Sequence, residues 1–212
     1  MKRVAVLGGT FNPIHYGHLR CAEEVREALG FDAVLFMPLF FPPHKEDKEL
    51  IGAEKRIEMA GIAIKGNPGF FVSDIEIKRK GRSYTIDTVR ELKKEAIEPS
   101  IVVGSDSFNE ITTWCEYEEL FKITDFVVVP RPGYAVKKIA EVVPVELAKK
   151  FWYDEVTNSY MNSWGRRVTY VGITQMDISS SAIRKKAREG GSIKYLVPEA
   201  VLEFILSKGL YR

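Results

Sequence analysis

The chain is poor in the features that simplify a functional reading. Its 212 residues hold only two cysteines, Cys21 and Cys115, and three histidines. Two thiols cannot build a disulfide framework, so a reducing compartment and free thiols are expected. Formal net charge is only +2, from 31 basic and 29 acidic residues. That is too little for general attraction to nucleic acid or anionic lipid, so any basic site must be local. Long apolar runs are missing as well. The N-terminal run Val4 to Leu7 stops at Gly8-Gly9, too short for a signal h-region or a membrane span, and a cytoplasmic location is expected. No internal repeat or low-complexity segment occurs, and neither GxGxxG nor the P-loop pattern is present.

What is there is alternation. Lys2 to Leu7 reads as a buried strand, and Gly17 to Leu29 as a helix with apolar or small residues at helical spacing, stopped by Gly30. Ala33 to Pro38 is a second short apolar run, followed by a proline-rich loop at Phe41 to Lys45 and a helix from about Ala53 to Lys65. Strands are expected at Phe70 to Ile77, Ser100 to Val103, Asp125 to Val129 and Val168 to Ile173, and helices at Thr85 to Lys94 and Ser179 to Glu189. The charged run Glu76 to Arg82 reads as a solvated turn. Phe151 to Arg167 is aromatic and polar without clear period, a surface excursion or a subunit contact. Strands alternating with helices imply an α/β, Rossmann-like, doubly wound parallel sheet with helices on both faces. With 45% hydrophobic residues, residues 1–212 are expected to form a single domain ending in a helical segment at about 179–212. Ligands of such sheets sit beyond the carboxyl ends of the strands, which directs attention to the glycines after the first strand.

That segment reads Gly8-Gly9-Thr10-Phe11-Asn12-Pro13-Ile14-His15-Tyr16-Gly17-His18. Glycines let backbone N–H groups approach a phosphate, and a helix N-terminus adds partial positive charge. His15 and His18, three apart at the start of the helix, share one face, with Gly17 keeping the surface clear. Zinc binding through His15, His18 and Cys21 is a weaker reading, because Cys21 falls inside the apolar pattern with Ala22 and Val25.

Read together, His15-Tyr16-Gly17-His18 resembles the HxGH signature of the nucleotidyltransferase superfamily. Ile178-Ser179-Ser180-Ser181-Ala182-Ile183-Arg184 resembles its ISSTxIR motif, with Ser181 where Thr is common. Gly104-Ser105-Asp106-Ser107-Phe108, Thr112-Thr113-Trp114, Ser83-Tyr84-Thr85-Ile86-Asp87-Thr88 and Pro42-Pro43-His44-Lys45 resemble segments of bacterial nicotinate mononucleotide adenylyltransferases. Val128 to Gly133 and Tyr195 to Pro198 do so too, so the likeness spans nearly the whole chain. One departure is Asn12, where that family usually has Asp.

The resemblance implies an enzyme that transfers the adenylyl group of ATP to nicotinate mononucleotide with release of pyrophosphate, in NAD biosynthesis. It assigns His15, His18 and Arg184 to catalysis. ATP is expected on Gly8, Gly9, Thr10, Phe11, His15, His18, Gly104, Asp106, Ile178, Ser180, Ser181 and Arg184. The mononucleotide is expected on Lys45, Thr85, Asp106 and Trp114. Mg²⁺ would be bound mainly through ATP phosphates, without a dedicated protein metal site. Nucleic acid and membrane are not expected as partners, whereas a homo-oligomer is compatible with the sequence. Two other readings stay open at this point, a phosphopantetheine adenylyltransferase and a non-catalytic ATP-binding regulator. RNA binding through Arg184-Lys185-Lys186 and Arg188 lacks interleaved aromatic surface.

Overall fold

The computed structural model describes residues 3–41 and 50–212. In chain order its elements are β1 (Arg3–Gly9), α1 (Tyr16–Leu29), β2 (Ala33–Pro38), α2 (Ala53–Ile64), β3 (Phe70–Val72), α3 (Ile75–Arg79), α4 (Thr85–Lys94), β4 (Glu98–Gly104), α5 (Ser105–Phe108), α6 (Tyr117–Ile123) and β5 (Asp125–Val129). Then follow α7 (Ile139–Val142), α8 (Val145–Ala148), β6 (Phe151–Asp154), β7 (Ser159–Asn162), β8 (Arg167–Tyr170), α9 (Ser180–Arg188) and α10 (Glu199–Ser207). The strands form one sheet in the order β3-β2-β1-β4-β5-β8-β7-β6. Pairings from β3 through β8 are parallel, and β8-β7-β6 is antiparallel.

The parallel part is buried on both faces, as its apolar strands require. Along β1, Ala5 and Leu7 join a core with α1, α2, α9 and α10, while Val4 and Val6 join a second core with α4, α5 and α6. The same alternation splits β5, with Val127 and Val129 on the first side and Phe126 and Val128 on the second. Because the chain leaves β1 toward β2 and β3 and returns to pair β4 on the other side of β1, the direction of winding reverses between β1 and β4. Such a reversal opens a crevice at the carboxyl ends of those strands.

Three expectations need correction. The strand expected at Phe70 to Ile77 ends at Val72, because the Ser73 hydroxyl accepts the N–H of Ile75 and the chain turns into α3. The run Glu76 to Arg82 is not merely a solvated turn, since Glu76 is buried and accepts a hydrogen bond from Thr88 Oγ1 at 2.6 Å. The stretch after Phe151 forms the β6–β7 hairpin, so the sheet is mixed rather than wholly parallel. Asp154 organises its turn by accepting from the N–H of Val156 and the hydroxyl of Thr157. Among the described residues no helix is long and apolar enough to cross a membrane.

Candidate active site

The crevice between β1 and β4 opens into a cavity of about 660 Å³, within the usual range for small-molecule sites. Its floor is the turn from β1 into α1. A Cβ on Gly9 would lie 2.9 Å from the buried Phe11 ring, which would have to shift, and one on Gly17 would lie 3.1 Å from the His15 ring, which would have to give by a few tenths of an ångström. Phe11 itself takes a left-handed backbone, φ 48°. It is held there by complete burial and by ring contacts to Phe36 at 5.8 Å and His18 at 5.0 Å.

His15 stands in extended conformation just before α1. The N–H of Tyr16 is taken by the carbonyl of Leu196 and that of His18 by the carbonyl of His15, so in the first turn it is Gly17 whose backbone lines the crevice at the positive end of the helix. The two histidine rings stack with centroids 3.7 Å apart. His18 Nδ1 accepts the backbone N–H of His15 at 3.2 Å. An accepting Nδ1 on a neutral imidazole leaves the proton on Nε2, so His18 presents a donor. Burial, with Arg131 nearby, drives His15 from 6.5 down to about 3. Burial, then the His15 ring and Arg131, also push His18 well below its ordinary value. Both rings are thus neutral at pH 7 in the ligand-free site, and each would need bound phosphate charge to take up a proton. Cys21 lies on the inward face of α1, and burial pushes its thiol up to about 12, so it stays a protonated packing group.

The ISSS segment enters from the other end of the chain. Ser179 caps α9 by accepting from Ala182 N–H, a contact worth about 1 kcal/mol. Ser180 donates to the carbonyl of Pro13 at 2.8 Å, and Arg184, buried, donates to the carbonyl of Asn12 at 2.9 Å. Both residues therefore clamp α9 against the glycine turn, while Ile178 and Ser181 line the same cavity. Asn12 gains an explanation here. Its side-chain oxygen accepts from the hydroxyl of Tyr211 at 2.8 Å, tying the C-terminal tail to the turn.

On the opposite wall, α4 starts at Thr85 with no side-chain cap, leaving its leading N–H groups toward the cavity. Thr85 is thus the first helical residue rather than the cap. Half-buried Trp114 and Asp106, at the carboxyl end of β4, complete this wall. All the sequence-derived site residues meet in one cavity except Lys45, which lies outside the described residues.

Three residues escaped the sequence reading. Arg131, just past β5, lines the cavity 3.8 Å from the Asp106 carboxylate and lowers the proton affinity of both histidines. Its signal was an arginine between two prolines at a strand's carboxyl end. Arg56 is fully buried and donates to the carbonyls of Thr10, Phe40 and Ile51 at 2.8, 3.1 and 3.1 Å. It betrayed itself as a charge inside the apolar stripe Ala53, Met59, Ala60 of α2. Glu76 lines the cavity too. Burial raises its pKa, against hydrogen bonds from Ser83 and Thr88 and the nearby charge of Arg79.

Comparison with known proteins places this arrangement. Residues 6–186 match the family model described as cytidylyltransferase-like. A probable nicotinate-nucleotide adenylyltransferase of Geobacter metallireducens is 46% identical, the match covering 99% of this chain and 98% of the relative. One from Geobacter sulfurreducens is 41% identical over the same shares. The solved structure of Plasmodium falciparum nicotinic acid mononucleotide adenylyltransferase complexed with NaAD has a TM-score of 0.74 at 20% identity, covering 100% of this chain and 98% of that one. Its likeness carries the fold. With the family model matched over most of its length and such relatives matched end to end, the chain belongs to the cytidylyltransferase-like family, in the branch that holds these adenylyltransferases.

Proposed function

We propose that the site joins the adenylyl group of ATP to the phosphate of nicotinate mononucleotide, releasing pyrophosphate and giving nicotinate adenine dinucleotide. The observation that carries this reading is the stacked pair His15–His18 at the N-terminus of α1, with a neutral imidazole donor on His18 beside the glycine turn. A phosphate oxygen of the mononucleotide attacks the α-phosphorus of ATP in line. The new P–O bond forms as the bond to the pyrophosphate oxygen breaks. The attacking oxygen is already an anion near neutral pH, so no general base is needed. What the protein must supply is position and compensation of negative charge. His18 Nε2–H and the backbone of Gly17 in the first turn of α1 meet the α-phosphate, while Arg184 and Arg131 balance the β- and γ-phosphates. On the other side, the N-terminus of α4 with Thr85 receives the pyridine carboxylate, and Trp114 offers its face to the ring.

A divalent ion would enter with the phosphates, and Asp106, on the β4 side of the cavity, is the carboxylate that would help to hold it. Mg²⁺, when bound there, would neutralise triphosphate charge.

The test is pyrophosphate release with ATP and Mg²⁺ and, in turn, nicotinate mononucleotide, nicotinamide mononucleotide or phosphopantetheine. Preference for the nicotinate form is expected. Turnover with phosphopantetheine instead would overturn the assignment of Thr85 and Trp114, and ATP binding without turnover on any acceptor would make the chain a regulator.

A further inference from the structure

Glu76 has more hydrogen-bonding capacity than the fold uses. It stands in the first turn of α3, is 3% exposed, and lines the cavity together with Ser83, Tyr84, Thr85 and Thr88. Its Oε1 accepts from Thr88 Oγ1 at 2.6 Å. Oε2 is buried as well and has no hydrogen-bond partner among the described residues. Buried polar atoms are nearly always paired, so an oxygen left over in the wall of a cavity points to a ligand. Its position says which part of the ligand it meets. Thr88 lies three residues after Thr85, on the same face of α4, and one turn of helix rises about 5.4 Å. A group received at the start of α4 therefore sits about one turn from the Glu76 carboxyl. On the function proposed above, on which this inference rests, that group is the pyridine carboxylate of nicotinate mononucleotide. Two carboxylates so close together and out of water oppose each other's ionisation.

The surroundings leave Glu76 able to change its charge. Burial is the largest effect on it and favours the neutral acid, with Glu91 adding to that. The hydroxyls of Ser83 and Thr88 and the charge of Arg79 favour the carboxylate, and the net result is a raised pKa. Arg79 is shared among several acceptors: its guanidinium donates to Glu91 and to Thr88 Oγ1, each at 3.0 Å, and stands 3.9 Å from Glu76. Asp74 and Lys78, the other charged groups at this end of α3, pair with each other in solvent at 3.0 Å. β2, which packs on α3, brings Ala33-Val34-Leu35-Phe36-Met37-Pro38 and no charge.

We propose that Glu76 is a specificity-determining residue that selects the acceptor through its protonation state. As the neutral acid it presents Oε2–H to the pyridine carboxylate. As a carboxylate it repels that group. When nicotinate mononucleotide enters the ionised site, one proton passes from solvent to Oε2, and it returns to solvent when the product leaves. Binding and proton uptake are thereby linked, so KM for the nicotinate form rises with pH once Glu76 ionises in the free site, by up to about tenfold per pH unit. An uncharged amide in the same place escapes the repulsion, and preference for the acid over the amide falls as pH rises.

Glu76→Gln separates this role from a structural one. The amide keeps an oxygen for Thr88 and places an N–H where the acid would hold its O–H, at every pH. The test is steady-state kinetics of the full chain with ATP and nicotinate mononucleotide from about pH 5.5 to about pH 8.5. Comparing variant with wild type at each pH cancels the titration of the substrate phosphate and of the histidines. The two KM values are expected to converge toward acid and separate toward alkali, where the variant should be roughly tenfold lower. Calorimetry of nicotinate mononucleotide binding, in buffers of different ionisation enthalpy, is expected to show wild type taking up more protons than Glu76→Gln. Parallel KM profiles with equal proton uptake would overturn the role of Glu76 and leave the acceptor assignment standing. A variant KM raised by the same factor at every pH would make Glu76 a structural brace and overturn it too. No turnover of nicotinate mononucleotide by wild type would overturn the acceptor assignment, and this inference with it.

Discussion

The two ends of the sheet handle unpaired backbone groups in opposite ways. At the carboxyl ends of β1 and β4 the strands run into α1 and α5, and the uncapped start of α4 and Gly17 in the first turn of α1 line one cavity. At the β6 edge the outward donors and acceptors lie in a row beside exposed aromatics. Convergent donors in a crevice suit a small polyanion, because their partial charges add at one place. Donors in a row alternate with acceptors, and their partial charges cancel. The same backbone chemistry thus yields a phosphate site at one end and none at the other, according to geometry alone.

Substitutions can break this contrast. The largest effect is expected for His18→Ala, which removes the Nε2–H donor. We expect kcat to fall about 10²–10³-fold, on the order of 3–4 kcal/mol, with little change in KM for either substrate; steady-state kinetics beside an unchanged melting curve is the check, and an undiminished kcat would remove His18 from the chemistry. Arg56→Leu should come next. It strands the carbonyls of Thr10, Phe40 and Ile51 and is expected to cost about 3 kcal/mol of stability in urea unfolding, with KM for ATP rising because the turn at Thr10 loses its brace.

Acid should reach the crevice before the hairpin. His15 takes up a proton near 6.5 when unfolded but only near 3 when folded, so the unfolded chain binds more protons in between and stability falls as pH drops through that window. One such group costs up to about 1.4 kcal/mol per pH unit, and His18 acts in the same direction. Glu76 opposes them, since its raised pKa favours the folded state as pH falls toward 4.5. A melting temperature that declines below pH 6.5, less steeply in His15→Gln, is the expected result; a pH-independent His15→Gln difference would show that the ring titrates normally. Trp114→Ala is expected to raise KM for the mononucleotide about tenfold, near 1.4 kcal/mol, and to leave KM for ATP alone. Smallest of all, Trp152→Ser on the hairpin should change kcat/KM less than twofold, and a larger change would mean that the two ends are coupled.

Much of the crevice was legible in sequence because its parts are local. Turn, helix start and histidine spacing lie within Gly8 to His18, and the boundaries of β2 and α4 follow from apolar period and flanking breakers. The hairpin was not legible, since two four-residue strands with aromatics on both faces show no period. Their identity comes from pairing with β8. Nor could spacing reveal Arg131 or Arg56 as neighbours of the glycine turn, because their contacts span long stretches of chain.

By itself, then, the sequence determined the alternating α/β plan, the family and the local donors, all properties carried by residues a few positions apart. The tertiary structure decided what long-range packing sets. It made the histidines neutral by burying them and turned Ser180 and Arg184 into clamps on the turn. It withdrew Glu76 from solvent, and it left β6 at an open edge. Burial and sheet order depend on which distant segments meet, and no local pattern specifies that.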